Sequence, residues 1–551
     1  WSVRSSAARQ GSQTRPKRAE APTPNSTALL CSFVTDSHPR VVHNCRVTPE
    51  SLTRTVQDFL AEAPGALVLE DGAVSFDLAR AKYSISGEYN KCLLHLWSSE
   101  RNAVRRVLDA EVKSGTLRLA VQRLGQSRPS QLEICRERDR RSPSAKKAAR
   151  ASYEQKLRRV IERHFPRFTI ARLTSGIDLE KSFGPIYARG LLRQGQSAFA
   201  FLGVNASESQ VSIDAALTFA ILWLDLCRER SAGKFLVEGL VMIVPHGCSS
   251  LVRERMANLN RSAAKWRLFE FNERHDSMIE MDCTDRGNVA TRLVHAPNQA
   301  SALQRFATSI ARIQQILPGC EVDVLSPAEI AFRWRGLEFA RSRMAAEAVT
   351  LQSKQDIVFG VGAEERLLDD RNWTFFVQLL TTLRAARHPY GARHHPLFRM
   401  HPERWLESLV KTDVRVIDES LEPESAYSQV PAFSAADRAM IDVLTLTRDG
   451  RLAVVELKAD EDIHLPLQGL DYWARVQWHH ERGEFLKFGY FGGRELSPLS
   501  PLLFLVAPAL HVHPATDTIL RYISPEIKWA FAGIDERWRE GVNVVFRKRP
   551  M

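Results

Sequence analysis

Apolar residues in this 551-residue chain fall into short alternating or continuous runs broken by glycine-bearing turns, and into longer stretches with helical spacing. LVLEDGAVSFDL, KCLLHLWSS and GTLRLAVQRL predict a small strand-rich module over residues 26–141. Ahead of it, residues 1–25 carry almost no large apolar side chain and are rich in Ser, Arg, Pro and Gln, the composition of a disordered basic tail. RERDRRSPSAKKAARASYEQKLRRVIERHF (136–165) then passes from a Ser-Pro linker into an amphipathic helix with Leu157, Val160 and Ile161 on one side. Its basic residues form a solvated face with phosphate contact as a second role.

Two later stretches, 150–275 and 402–540, repeat one order: amphipathic helix, strand, hairpin, helix, apolar strand, helix, strand. Aligning Gly195 with Gly450 lays IYARGLLRQGQSAFAFLGV over IDVLTLTRDGRLAVVELKA, and downstream KWRLFEFNER parallels KWAFAGIDER. The chain therefore reads as two copies of one α/β unit, at 142–285 and 401–551. Between them QASALQRFATSIARIQQIL and WTFFVQLLTTLRAAR have helical periodicity, so 286–400 is expected to be a helical connecting region. It ends in the basic run RHPYGARHHPLFRMHPER, whose His388, His394, His395 and His401 lack partners at zinc spacing. A loop that guides a phosphate backbone is the expected role there.

The second copy's hairpin carries the candidate chemistry. A two-residue Asp449-Gly450 loop would pair Asp442 with Leu457 and put Asp442 and Glu456 on opposite faces. A three-residue loop, Arg448-Asp449-Gly450, pairs Thr447 with Arg451 and Asp442 with Glu456, and Gly450 supplies its left-handed residue. On that register Asp442, Glu456 and Lys458 share one face of a hairpin apolar on both sides. Buried carboxylates about one strand spacing apart suit a hard divalent cation, Mg²⁺ or Mn²⁺, and a lysine beside them can position a water. Metal plus positioned water is the chemistry of phosphodiester hydrolysis. In the first copy the same alignment puts Tyr187, Phe201 and Gly203 at these positions, so that copy is expected to be inactive. On the helix after the hairpin, opened by Pro466, Gln468 and Tyr472 stand one turn apart, and Arg475 and His479 continue the stripe.

These residues resemble the PD-(D/E)xK nuclease superfamily over roughly residues 400–545. Ile441-Asp442 stands for the PD element and Glu456-Leu457-Lys458 for (D/E)xK, while Gln468 and Tyr472 look like the Q-x-x-x-Y helix of the RecB-type branch. GRLAVVELK is similar to NucS-type DNA endonucleases, whose upstream helix carries a Leu-Glu pair matched by Leu406-Glu407; Glu403 lies one turn earlier. The sequence departs from the pattern at Ile441, where the name-giving Pro would stand. The resemblance implies a restriction-endonuclease-like core, a mixed sheet flanked by helices, and a divalent-metal-dependent nuclease, most directly a DNA endonuclease of repair, recombination or defence. Asp442, Glu456, the Leu457 carbonyl and Glu407 would be the metal set, Lys458 the water-positioning group, and Gln468 and Tyr472 groups that orient the site. An RNA-processing enzyme would use the same site. The alternative from another class is a non-catalytic nucleic-acid-binding or assembly protein that keeps the fold.

Composition narrows the setting. Hydrophobic content of 44% and charged content of 25% are ordinary for a globular protein, and a net charge of +12 favours a polyanionic partner. The 8 cysteines are scattered with no C-x-x-C, as expected of reduced thiols in the cytoplasm. No run of 18 apolar residues is apparent; AALTFAILWL (215–224) reads as a buried helix, so no membrane association is expected, and a homodimer is allowed.

Overall fold

The computed structural model describes residues 47–550, apart from 62–65, 71–72, 79–80, 89–90, 98–101, 114–115, 124–128, 136–142, 177–182, 184–186, 287–288, 290, 347–352, 362–364 and 435–439. The tail expected at 1–25 lies outside the described residues. The chain is mixed α/β and divides into two compact units, Trp1–Ala145 and Lys146–Met551. In the first, seven antiparallel strands form one sheet. Helix Pro49–Ala61 sets Leu52, Val56 and Phe59 into a core with Val68, Leu94, Leu117 and Leu119.

The second unit contains two α/β subunits of like topology. The first runs α1 (Pro143–His164), β1 (Thr169–Thr174), β2 (Tyr187–Gln194), β3 (Ser197–Val204), α2 (Gln210–Ser231), β4 (Leu236–Pro245), α3 (Ser250–Ala257), β5 (Lys265–Asn272) and β6 (Ser277–Met281). The second runs α4 (Pro402–Thr412), β7 (Tyr427–Ser434), β8 (Met440–Leu446), β9 (Leu452–Leu457), α5 (Leu465–Glu481), β10 (Leu502–Pro508), α6 (Thr516–Arg521), β11 (Trp529–Ile534) and β12 (Val544–Lys548). Each sheet keeps its strands in sequence order across the six positions. The first two pairings are antiparallel, the next two parallel and the last antiparallel. Parallel strands need helical crossovers, and α2, α3, α5 and α6 supply them.

One apolar core runs through both subunits: Leu217, Ile221 and Leu224 of α2 join Leu467, Leu470 and Trp473 of α5. Equivalent segments also meet. Leu259, just after α3, bridges antiparallel to Ile523, just after α6, flanked by Asn260 N–H to the Tyr522 carbonyl (2.8 Å) and Ser524 N–H to the Asn258 carbonyl (3.0 Å). The copies thus mate through a local two-fold-like contact.

Three expectations are corrected. The region 286–400 is more than a helical connector: Glu321–Ser326, Glu329–Trp334, Leu337–Ala346, Ser353–Phe359 and Arg366–Leu367 form a five-stranded antiparallel sheet, and Thr291–Leu293 adds an edge strand to the second subunit's sheet. EVDVLS, EIAFRW and LEFARSRMAA mix polar with apolar residues and do not stand out beside the helical runs, and the Arg335-Gly336 turn (φ +48° and +72°) joins two of them.

Helix α2 is longer than its apolar segment suggested. Its 22 residues hold a window of mean hydropathy 1.5, long and apolar enough by length and composition to cross a membrane. Ile213, Ala216, Leu217, Ala220, Ile221 and Leu224 are nevertheless buried in the shared core.

The first copy's equivalences also shift, by one residue on the second hairpin strand and by two on the first. Its hairpin pairs Gln194 with Ser197 around a two-residue turn, Gly195-Gln196, whereas the second copy closes around three residues. Traced across the sheet, Leu202–Met242–Leu268 corresponds to Glu456–Leu505–Phe531. Leu202 therefore stands at Glu456, its partner Arg189 at Asp442, and Val204 at Lys458, in place of Phe201, Tyr187 and Gly203. Phe201 faces the opposite core, against α1.

Candidate active site

The β8–β9 hairpin decides which side chains meet. Thr447 N–H donates to the Arg451 carbonyl (2.7 Å), Gly450 N–H to the Thr447 carbonyl (2.9 Å), and Gly450 sits at φ +79°. A Cβ there would stand 2.7 Å from the Glu495 carbonyl oxygen, so the turn requires glycine on two counts. Val443 faces Val455 and Leu446 faces Leu452, a register that sets Asp442 opposite Glu456. Asp442 Oδ2 accepts from the Leu457 N–H at 3.0 Å, and Lys458 Nζ lies 3.5 Å from Glu456 Oε1.

Helix α4 brings a third carboxylate. His401 turns the chain at φ +44°, Pro402 starts the helix, and Trp405, Leu406 and Val410 bury its inner face against Val443, Val455 and Leu457. Glu407, on that inner face and 4% exposed, accepts through Oε2 from Arg404 (2.9 Å) and Gln429 (2.7 Å). Glu403, one turn earlier, is half-exposed and stands 3.8 Å from Lys458, so both acids of the helix flank the hairpin end. Asp462 closes the ring, 3.7 Å from the same ammonium.

Helix α5 lies over the other face of β9. Gly469 permits the approach: a Cβ there would meet Leu505 Cδ2 at 2.4 Å. Gln468 points a buried Oε1 that has no hydrogen-bond partner, and Tyr472 one turn on is partly buried against the same core. Burial, then the Glu456 and Asp442 charges, push the Tyr472 hydroxyl far above its ordinary range, so it stays protonated beside the carboxylates. Of the stripe's continuation, His479 is instead tied to Glu484 and to Thr291 (3.0 Å), a structural contact.

The electrostatics are those of too many acids for the cations present. Glu456 is 2% exposed and its Oε2 is buried with no hydrogen-bond partner. Burial, then Asp442, raise its carboxyl well above the usual range, with Lys458 only partly opposing. Burial likewise raises Asp442, against the Leu457 amide and Lys458, and pushes Glu407 up to about 8. Lys458 shows the converse: burial lowers it, but Glu456, Glu403, Asp462 and Asp442 outweigh that and hold it charged.

Asp442, Glu456, Lys458, Glu407, Gln468 and Tyr472 are therefore all carried by elements that converge on the end of β9. Among the described residues no group of three or more His, Cys, Asp or Glu side chains is arranged to hold a metal. Asp442 accepts from the Leu457 amide and interacts directly with the Glu456 carboxyl, Glu456 also faces Lys458, and Glu407 is held apart by Arg404 and Gln429.

Sequence reading missed Gln429 and Asp462. Gln429 sits where β7 skips a pairing opposite Asp442, at φ +55°, and nothing in SQVPAF marks that. Asp462 was readable from its spacing of four after Lys458. Comparison with known proteins adds no relative: no family model, no curated protein and no solved structure matches the chain.

Proposed function

We propose that the second α/β subunit is a PD-(D/E)xK-type nuclease, a restriction-endonuclease-like core that hydrolyses phosphodiester bonds of nucleic acid, DNA in the first instance, with Mg²⁺ or Mn²⁺. The observation that carries this reading is the fully buried Glu456, with an unsatisfied oxygen, packed beside Asp442 and Lys458. Burying two carboxylates with one lysine is costly, and a hard cation is the group that relieves it. The donors are all oxygen, which fits Mg²⁺ or Mn²⁺ rather than zinc. Asp442, Glu456 and the Leu457 carbonyl would hold the ion, with Glu407 binding a second ion or an outer-shell water. Bound there, the ion would supply Lewis-acid charge neutralisation and a more acidic water.

The protein's own groups then have definite tasks. Lys458 places a charged ammonium at the hairpin end, where it orients a water and offsets negative charge developing on phosphate. Tyr472 and Gln468 offer a hydroxyl and an amide toward the same place, able to donate to a phosphate oxygen. Arg189, Leu202 and Val204 at the matching positions of the first subunit include no carboxylate, so that copy acts as scaffold.

Cleavage of plasmid, single-stranded and branched DNA with Mg²⁺, comparing wild type with Asp442→Ala and Lys458→Ala, tests the proposal. Metal-dependent cutting lost in both variants is expected. A wild type that binds these substrates but cuts none would make the protein a binding module instead.

A further inference from the structure

The inactive subunit is joined to the candidate site by two specific polar contacts as well as by the shared core. Thr218, fully buried in α2, has Oγ1 2.9 Å from His464 Nδ1, and the Phe219 ring meets the same imidazole edge-on at 5.6 Å. His464 is the N-cap residue of α5. Its backbone N–H donates to Asp462 Oδ1 (2.7 Å), and Asp462 Oδ2 lies 3.7 Å from Lys458 Nζ. A continuous chain of contacts thus runs from α2 through the 458–464 segment to the ammonium.

The second contact grips α5 about two turns inward. Arg255 of α3, 6% exposed, makes a bidentate pair with Asp471 at 2.9 and 2.7 Å, and its remaining nitrogen donates to the Asp214 carbonyl of α2. Asp471 is adjacent to Tyr472 and three residues from Gln468, so the planar fork fixes both the rotation and the height of that helix. A buried ion pair is seldom the most stable filling for its volume; what it adds is one defined geometry.

We propose that the first α/β subunit is a positioning device for the active one, with Thr218–His464 setting Lys458 through Asp462, and Arg255–Asp471 setting Gln468 and Tyr472. The inference rests on the nuclease reading for its catalytic consequence, but the positioning itself is measurable without turnover. Thr218, His464, Arg255 and Asp471 are positioning residues; none is assigned a contact with substrate.

The test uses the full chain with Thr218→Val, which removes the hydroxyl at nearly constant volume, Thr218→Ser, which restores it, and Asp471→Asn as a second lesion. Two readouts are taken: kcat and KM for Mg²⁺-dependent cleavage, and the rate at which an amine-acylating reagent modifies Lys458, followed by mass spectrometry. Thr218→Val is expected to lower kcat about tenfold at unchanged KM, the scale of a small misplacement of a reacting group, and to speed Lys458 modification several-fold. Thr218→Ser restores both, and Asp471→Asn lowers kcat and speeds amide hydrogen exchange across 465–472. Wild-type kcat and labelling in Thr218→Val together with wild-type exchange in Asp471→Asn would overturn the proposal, as would an effect confined to KM. If wild type itself does not cut, the nuclease reading fails while labelling and exchange still decide the positioning role.

Discussion

Glu407→Gln isolates the largest electrostatic strain on α4. In the fold its carboxyl is pushed from 4.5 up to about 8, by burial first and by Asp442 next, with Arg404 opposing. The folded chain therefore binds this proton more tightly than the unfolded chain does. Stability from this group is complete below about pH 4.5, falls as pH rises, and levels off above about pH 8. At 1.36 kcal/mol per pKa unit, the loss across that window is about 5 kcal/mol. Glutamine keeps the shape and the contacts while removing the ionisation. Chemical unfolding in EDTA should find variant and wild type alike at pH 5, with the variant more stable by several kcal/mol at pH 9. Millimolar Mg²⁺ should narrow the gap at pH 9 by stabilising ionised wild type. Parallel stability curves between pH 5 and 9 would refute the reasoning, because they would mean that Glu407 ionises as freely in the fold as outside it.

Further outcomes follow from the same geometry. Lys458→Ala should reduce Mg²⁺-dependent cleavage by about 100-fold or more while leaving substrate affinity within a few-fold, since the ammonium acts where charge develops; steady-state kinetics read both. Gly450→Ala should destabilise the second subunit by about 1–3 kcal/mol, because the residue sits at φ +79° and the new Cβ meets a carbonyl oxygen at 2.7 Å; denaturant titration measures it. Gly469→Ala should separate α5 from β10, where the added methyl meets Leu505 Cδ2 at 2.4 Å, and lower kcat more than stability. Arg387→Met should destabilise markedly. The buried guanidinium donates to the carbonyls of Arg335 (3.0 Å), Leu397 (2.9 Å), Met400 (2.6 Å) and His401 (3.1 Å), and the substitution strands all four; thermal melting reads the loss.

How much of this was legible differs by element. The second copy's hairpin register was reached because only a three-residue loop pairs Asp442 with Glu456, and Gly450 can supply the left-handed residue that loop needs. The repeat was visible because KW-led strands and Gly-centred hairpins recur in order, yet its register slipped by one residue on the second hairpin strand and by two on the first. Both turns contain glycine, and nothing local distinguishes two loop residues from three. The sheet within 321–367 escaped because its strands are half polar and lie between convincing helices. Gln429 and the Thr218–His464 contact join residues far apart in sequence, which periodicity cannot couple.

The central claim is that Asp442 and Glu456 form one cation site at the end of a buried hairpin. Anomalous scattering from crystals of the full chain soaked in Mn²⁺ tests it most directly. A single strong peak bounded by the Asp442 and Glu456 carboxylates and the Leu457 carbonyl, absent in Asp442→Ala, is the predicted result. Saturating Mn²⁺ that leaves this position without a peak, with Lys458 still paired to Glu456, would contradict the account.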